Sequence, residues 1–321
     1  MPVYNARQYL VEAIESILQQ TCSDWELIVL NDGSTDDSGA IARSFEDSRI
    51  RYYENETNMG LIYTRNRLIS KASGEFISFL DSDDVAMPQR LEKQIAFLDN
   101  NPNYAMCGTW AYMIDGSGRR MKKINLSRPF RQIKPSLLFA NSFLQSSVMI
   151  RRSVLLDNQY DTAFPLAEDY ELWCRLARKY KLYNIPDKLT CYRWHETNIS
   201  QEKQEALLSN VWRIQKRELQ HIGIVPRDEE MAIHVSISNK GASAIDNSSY
   251  LGKLKGWMRI LKAANKKAKY YDQAYFEATI CFRWIFACKE RGQYTQALLL
   301  PFCVKPKVIM LLFSMLWDRT K

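Results

Sequence analysis

A chain of 321 residues, 46% hydrophobic and 25% charged, can bury a full core and has room for one large domain or a domain with an appendage, which excludes a disordered or fibrous protein. Seven cysteines, at positions 22, 107, 174, 191, 281, 288 and 303, form no CxxC pair, so a zinc framework and a disulfide scaffold are both disfavoured and a reducing cytoplasm is expected. The net charge is +8, yet "MPVYNARQYL" shows no secretory signal and no run of about 20 apolar residues occurs, so a full membrane span is not expected.

The first 85 residues alternate short apolar runs with helical patterns, the signature of βαβ units and a parallel sheet. The start, "MPVYN", leaves almost no strand before the first turn: either the first strand is unusually short or the recorded start lies downstream of the natural one. "ARQYLVEAIESILQQ" then places Leu10, Ala13, Ile14, Ile17 and Leu18 on one helical face, with Asn5 as expected cap and Gln8 three residues on. "WELIVLNDGS" reads as a strand closed by a turn, "AIARSFE" as a short helix, "RIRYYEN" as a strand, "LIYTRNRLISKA" as a helix and "EFISFLD" as a strand. Polar clusters follow three strands, "PVYN", "NDGSTDD" and "DSDD", and ligands of open α/β sheets bind beyond the carboxyl ends of the strands.

"FISFLDSDDVAMP", residues 76–88, carries three aspartates in four positions behind an apolar run. It reads in two ways. Asp is a common turn and cap residue, and Pro88 suits a first helical turn. Equally, Mg²⁺ is held by one or two carboxylates together with phosphate oxygens.

From 104 onward "YAMCGTWAYMI", "DGSG" and "RRMKKINL" suggest an antiparallel pair, and "LQSSVMIRR" another strand. "AEDYELWCRLARKY" reads as a helix with Leu172, Trp173, Leu176 and Ala177 inward, and "LYNIPDKLTCYRWH" as two short strands. The rest is mostly helical. Within 251–270, Lys255, Arg259, Lys262, Lys266 and Lys269 recur at helical spacing while Trp257, Ile260, Leu261 and Ala264 fall largely elsewhere: a basic amphipathic helix. "VIMLLFSMLW", 308–317, is apolar but too short to span, and packs into a core or docks on an anionic membrane surface. No nucleic-acid motif accompanies the charge, so no nucleic acid is expected as a partner.

Taken in order, "PVYN", "LNDGSTDDS", "NMGLIYTRNRLISKASGEFISFLDSDD", "AEDYELWCRLA" and "YRWHETNIS" resemble glycosyltransferase family 2, inverting transferases of the GT-A fold. The resemblance covers roughly residues 1 to 200. It implies a Rossmann-like mixed, mainly parallel α/β sheet with flanking helices, in a catalytic domain over 1–220. Its nucleotide-sugar-binding half would be 1–100 and its acceptor-side half 101–220, followed by a helical region over 221–321. Pro2, Val3 and Tyr4 would lie along the base, Asp32 would bond the uracil and Arg65 would reach toward the nucleotide. Asp81 would sit near the ribose and Asp83 on a Mg²⁺ or Mn²⁺ ion, with His195 near the diphosphate or metal, while Asp84 would shape the turn that presents them. Asp169 would be the general base, Glu168 the runner-up, and 145–150 would lie beneath the acceptor pocket.

These residue types suit the chemistry. An acceptor hydroxyl that attacks an anomeric carbon needs a carboxylate to take its proton, and a departing diphosphate gains charge that a divalent cation neutralises. Processive synthases of the family carry a QxxRW-type motif; "CYRWHE" lacks the upstream Gln, which favours addition of a single sugar. The expected enzyme therefore transfers one sugar from a nucleotide donor, UDP-linked, to a glycan or lipid-linked glycan acceptor in bacterial polysaccharide or lipopolysaccharide biosynthesis. It would be cytoplasmic or peripheral on the inner face of the membrane. The rival expectations are a catalytically silent nucleotide-sugar-binding module and a hydrolase built on Glu168 or Asp169.

Overall fold

The computed structural model describes residues 1–195, 204–237, 247–302 and 304–320. Residues 196–200, the end of the "YRWHETNIS" stretch, and Cys303 lie outside the described residues. The chain divides into two compact units, Met1–Arg128 with Phe143–Leu207 and Pro129–Ser142 with Leu208–Lys321. The mixed α/β class expected from the sequence is the one observed, with helices in the C-terminal region.

In the first unit β1 (Pro2–Val3), β2 (Leu27–Asn31) and β3 (Ile50–Glu54) form a parallel sheet. Helix α1 (Leu10–Leu18) buries Leu10, Ala13, Ile14 and Ile17 against Leu27 and Val29 of β2, as its apolar spacing requires. Each of the buried Leu and Ile side chains contributes roughly 1.5–3 kcal/mol. Asn5 does not cap this helix. It sits at φ 49, and its side-chain oxygen instead accepts from the Thr35 N–H at 2.9 Å, joining the turns that follow β1 and β2. After α2 (Ser38–Arg43), the left-handed Gly60 (φ 89) opens α3 (Leu61–Lys71), whose Leu68 packs on Ile28 and Leu30.

The second sheet runs β4 (Phe76–Ser78), β8 (Met149–Arg151), β6 (Tyr104–Ile114), β9 (Lys181–Arg193) and β5 (Val85–Ala86), with β7 (Arg120–Ile124) on β6. The expected hairpin of β6 and β7 is present and antiparallel. The expected pair of short strands at 182–195 is instead one strand, parallel to β6. The register steps from Ile185 opposite Thr109 to Lys188 opposite Trp110, so Pro186 and Asp187 are carried in an irregularity rather than ending the strand. Strand β4 does not join the parallel sheet expected over the first 85 residues but pairs antiparallel with β8, so the DSDD turn follows a strand of this second sheet. Helices α4 (Arg90–Asn100), α6 (Arg152–Asp157) and α7 (Glu168–Leu176) complete the unit.

The second unit takes α5 (Phe130–Ser136) from the middle of the chain and joins it to α8 (Gln204–Gln220), α9 (Asp228–Ser236), α10 (Asn247–Ala268), α11 (Gln273–Glu290), α12 (Tyr294–Leu298) and α13 (Pro306–Thr320). A linear division expected from the sequence keeps 129–142 with its chain neighbours. Leu138 and Phe139 explain the difference, because both are wholly buried in one core with Met231, Trp257, Phe276 and Trp284.

Candidate active site

Five acids, Asp81, Asp83, Asp84, Glu168 and Asp169, and three basic side chains, Arg65, Arg193 and His195, come together from distant stretches around the turn that follows β4. Residues 81–84 form a tight turn in which the Asp84 N–H donates to the Asp81 carbonyl at 3.2 Å. The three aspartates are thereby given three different surroundings.

Asp81 accepts from Arg65 Nη2 at 2.9 Å, and the same guanidinium donates from Nη1 to Glu168 Oε1 at 2.5 Å. Arg65 and Glu168 are both almost fully buried, whereas Asp81 is partly exposed. Burial alone would lower the Arg65 pKa, but the carboxylates of Asp81 and Glu168 outweigh it and hold the guanidinium above its ordinary value. Arg65 is thus a bridge between the DSDD turn and the start of α7. Among the described residues its Nε and the Glu168 Oε2 are buried without a hydrogen-bond partner.

Asp83 meets His195, whose Nε2 lies 3.1 Å from Oδ2. The His195 ring stacks on Tyr9 at 5.3 Å, and Arg193 lies over the other ring of that stack, 4.5 Å from the Tyr9 centroid. Arg193, itself buried, holds the turn from below: its backbone N–H donates to Asp84 Oδ1 at 2.7 Å and its Nε to the Asp83 carbonyl at 2.8 Å. It also pairs with Glu12 of α1 and donates to the Asp115 carbonyl at 3.2 Å. Asp84 shapes the turn, as its sequence position suggests. Burial, then the charges of Asp83 and Asp81, push its carboxyl well above the usual carboxylate range.

Asp169 is half-buried in the first turn of α7, beside the buried Glu168, and its Oδ1 accepts the Tyr170 N–H at 2.6 Å. It shares a neighbour with the DSDD turn. Tyr192 of β9 is raised above its ordinary range by burial first, then by the charges of Asp84, Asp83, Asp81 and Asp169. The four acids therefore act on one phenol.

Asp32, expected to bond the uracil, is not an open acceptor. It is buried, and its carboxylate takes Asn55 Nδ2 at 2.6 Å and the N–H groups of Met59 and Gly60 at 2.9 Å each. Its N–H donates to the Val3 carbonyl at 2.7 Å, so it ties β1 and the 55–60 loop together. Gly33 is required next to it, since at φ +65 a Cβ would come 2.6 Å from the Thr57 carbonyl carbon. Gly33, Ser34, Thr35, Glu54, Asn55 and Glu56 line a hollow of about 490 Å³ there. Pro2 and Val3 pair with Leu30 and Asn31, and Tyr4 beyond them is exposed.

Among the described residues no three His, Cys, Asp or Glu side chains converge on one point, so Asp81, Asp83 and His195 do not make a preformed cage. That donor set still fits a hard divalent cation that takes most of its oxygens from a diphosphate. Motif reading reaches Arg65, Asp81, Asp83, Asp169 and His195. It misses Tyr9, Glu12 and Tyr192, and gives Arg193 no role, because nothing local marks contacts such as those of Arg193, whose partners lie 78 and 181 positions away.

The chain is similar to known proteins. The family model described as glycosyl transferase family 2 matches residues 1–158. An uncharacterized glycosyltransferase of Methanocaldococcus jannaschii is 33% identical over 217 residues, covering 65% of this chain and 75% of that protein. The UDP-Glc:alpha-D-GlcNAc-diphosphoundecaprenol beta-1,3-glucosyltransferase WfgD of Escherichia coli is 32% identical over 213 residues, covering 64% and 80%. Among solved structures, TarS 1–349 of S. aureus matches with a TM-score of 0.57 at 16% identity over 92% of this chain and 88% of that one. Its complex with UDP matches with a TM-score of 0.56 at 15% identity, over 100% and 90%. At such identity the likeness speaks for the fold.

Proposed function

The chain belongs to glycosyl transferase family 2, and from that premise we propose that it moves one sugar from a UDP-linked donor to a glycan acceptor with inversion at the anomeric carbon. The donor class is supported by the UDP named for the TarS complex and by the UDP-Glc in the name of WfgD. WfgD's name also carries a diphosphoundecaprenol acceptor, which supports a lipid-linked glycan in bacterial surface polysaccharide synthesis, met at the cytoplasmic face of the membrane. Donor binding and transfer are assigned to the first unit.

One observation carries the assignment of roles: Glu168 is buried and bound to Arg65, while its neighbour Asp169 is half-buried at the open end of α7. This difference in surroundings favours Asp169 over Glu168 as the group that takes a proton from an incoming hydroxyl. In the inverting step the acceptor oxygen attacks the anomeric carbon, its proton passes to an Asp169 oxygen, and the nucleoside diphosphate leaves from the opposite face. Asp83, with Asp81 and His195 beside it, would hold Mg²⁺ or Mn²⁺, which supplies neutralisation of the charge gathering on the diphosphate. Arg193 fixes the peptide of Asp83, and Arg65 fixes Asp81 relative to α7, so donor and base keep one geometry without reorganising.

The test is acceptor-dependent UDP release together with the anomeric configuration of the product. Asp169→Asn is expected to lower turnover by roughly 10²–10⁴-fold while leaving UDP binding intact. Asp83→Ala is expected to abolish the stimulation of UDP binding by Mn²⁺. Wild-type turnover in Asp169→Asn, or a product of retained configuration, would reject the reading.

A further inference from the structure

We propose that the helical unit carries a docking face for an anionic lipid bilayer, formed by the outward side of α13, the tip of α12 and the cationic side of α10. Two independent observations point there. The first is apolar exposure. Helix α13 has two apolar sides, and among the described residues one of them packs: Val308, Leu312 and Met315 lie against Ala278, Cys281 and Phe282 of α11. Ile309, Met310, Phe313 and Trp317 fall within about 100° of arc on the other side, where Met310, Phe313 and Trp317 are 65%, 68% and 65% exposed. Leu298, 84% exposed at the end of α12, and Leu299 beside it add to the same unit's uncovered apolar surface. Large aromatic and aliphatic side chains so exposed and grouped mark an interaction surface.

The second observation is charge. Residues 251–321 hold fourteen Lys and Arg against four Asp and Glu, a net +10, so residues 1–250 together carry −2. The whole positive balance of the chain is therefore concentrated in its last stretch. On α10 the helical spacing of the sequence sets Lys262 among the outward cations, but Lys262 turns inward to Glu277 at 3.2 Å and over the Phe302 ring at 4.1 Å. Lys253, Arg259, Lys266 and Lys267 are exposed, with Ile260 exposed among them. Arg259 donates from Nε to the Pro301 carbonyl at 3.2 Å, which brings this cationic side to the turn leading into α13. Lys305 and Lys307 are exposed at the start of α13 itself.

The combination selects the occupant. A second copy of the chain meeting this face would bring like charges together, so an anionic partner is favoured. An acidic protein or nucleic acid would match the cations but leave Met310, Phe313 and Trp317 unused, whereas an anionic bilayer takes both: phosphate headgroups at the lysines, and the acyl boundary for the aromatic stripe. No helix among the described residues is long and apolar enough to cross a membrane, so the contact lies along the surface.

Flotation of the full chain with vesicles tests this without reference to catalysis. The wild type is expected to float with vesicles of phosphatidylcholine plus phosphatidylglycerol, to stay behind with phosphatidylcholine alone, and to be released by salt. Lys266→Glu with Lys267→Glu should weaken binding by roughly tenfold or more, and Phe313→Ser with Trp317→Ser should abolish it. Circular dichroism and UDP binding check that both variants stay folded. The proposal is overturned if the wild type ignores anionic vesicles, or if binding survives both variants. It is also overturned if Phe313→Ser with Trp317→Ser converts a solution dimer to a monomer, since a second copy would then own the face.

Discussion

At the scale of single residues, Arg65 carries the most consequence for its size. On an isolated helix an arginine in "YTRN" reads as solvated surface; here it is 4% exposed and bound to carboxylates from two distant parts of the chain. Removing one partner of a buried ion pair leaves the other charge without compensation, which costs about 3–5 kcal/mol. Arg65→Ala should therefore destabilise the first unit by roughly 3 kcal/mol, discounted at its Asp81 end because that carboxylate is partly solvated. Glu168→Gln in the same background should return part of the loss. A double-mutant cycle by urea unfolding decides it: additive effects would mean that the pair does not couple. Asp32 shows the limit of reading at this scale. Its motif makes it conspicuous, but its partners Met59 and Gly60 are 27 and 28 residues away and depend on how the 55–60 loop folds.

At the scale of elements, legibility follows periodicity. Helix α1 is readable because its apolar residues repeat on one buried face, and strands β2 and β6 because they are continuous buried runs; Asn5 and Pro186 are misread because each local rule is overruled, by a left-handed backbone and by the parallel partner β6. The histidine of α9 has no readable role at all. His234 is wholly buried: its Nδ1 accepts from the Trp257 indole at 3.0 Å and its Nε2 lies 2.9 Å from the Leu138 carbonyl, so only the neutral Nε2–H form satisfies both. Burial pushes its pKa from 6.5 to about 4. The folded pKa is below the unfolded one, so stability is complete above pH 6.5 and is lost as pH falls from there through about 4. By pH 5 the loss should reach about 2 kcal/mol, since a tenfold change in proton affinity is worth about 1.4 kcal/mol. Denaturation curves at pH 7 and pH 5, compared with those of His234→Gln, test this. An equal acid sensitivity in the variant would place the cause elsewhere.

At the scale of the whole molecule, a composition-based boundary near 220 captures where helices take over but not that the chain enters the second unit twice. Fourteen residues, Pro129–Ser142, belong to it before the chain returns to the first unit. Their contribution is specific: Leu138 and Phe139 are fully buried in the helical core, and their carbonyls accept from His234 and Gln215. A fragment of residues 208–321 would leave that core open and those two side chains short of a partner, each unmade buried hydrogen bond costing about 1–3 kcal/mol beyond the lost apolar burial. The fragment is therefore expected to lack cooperative unfolding and dispersed amide resonances. Adding a peptide of residues 129–142 should restore helicity and a sigmoidal transition. If the fragment alone unfolds as cooperatively as the full chain, the inserted segment is an ornament of the second unit rather than part of its core, and the linear division at 220 describes the protein better than the interleaved one.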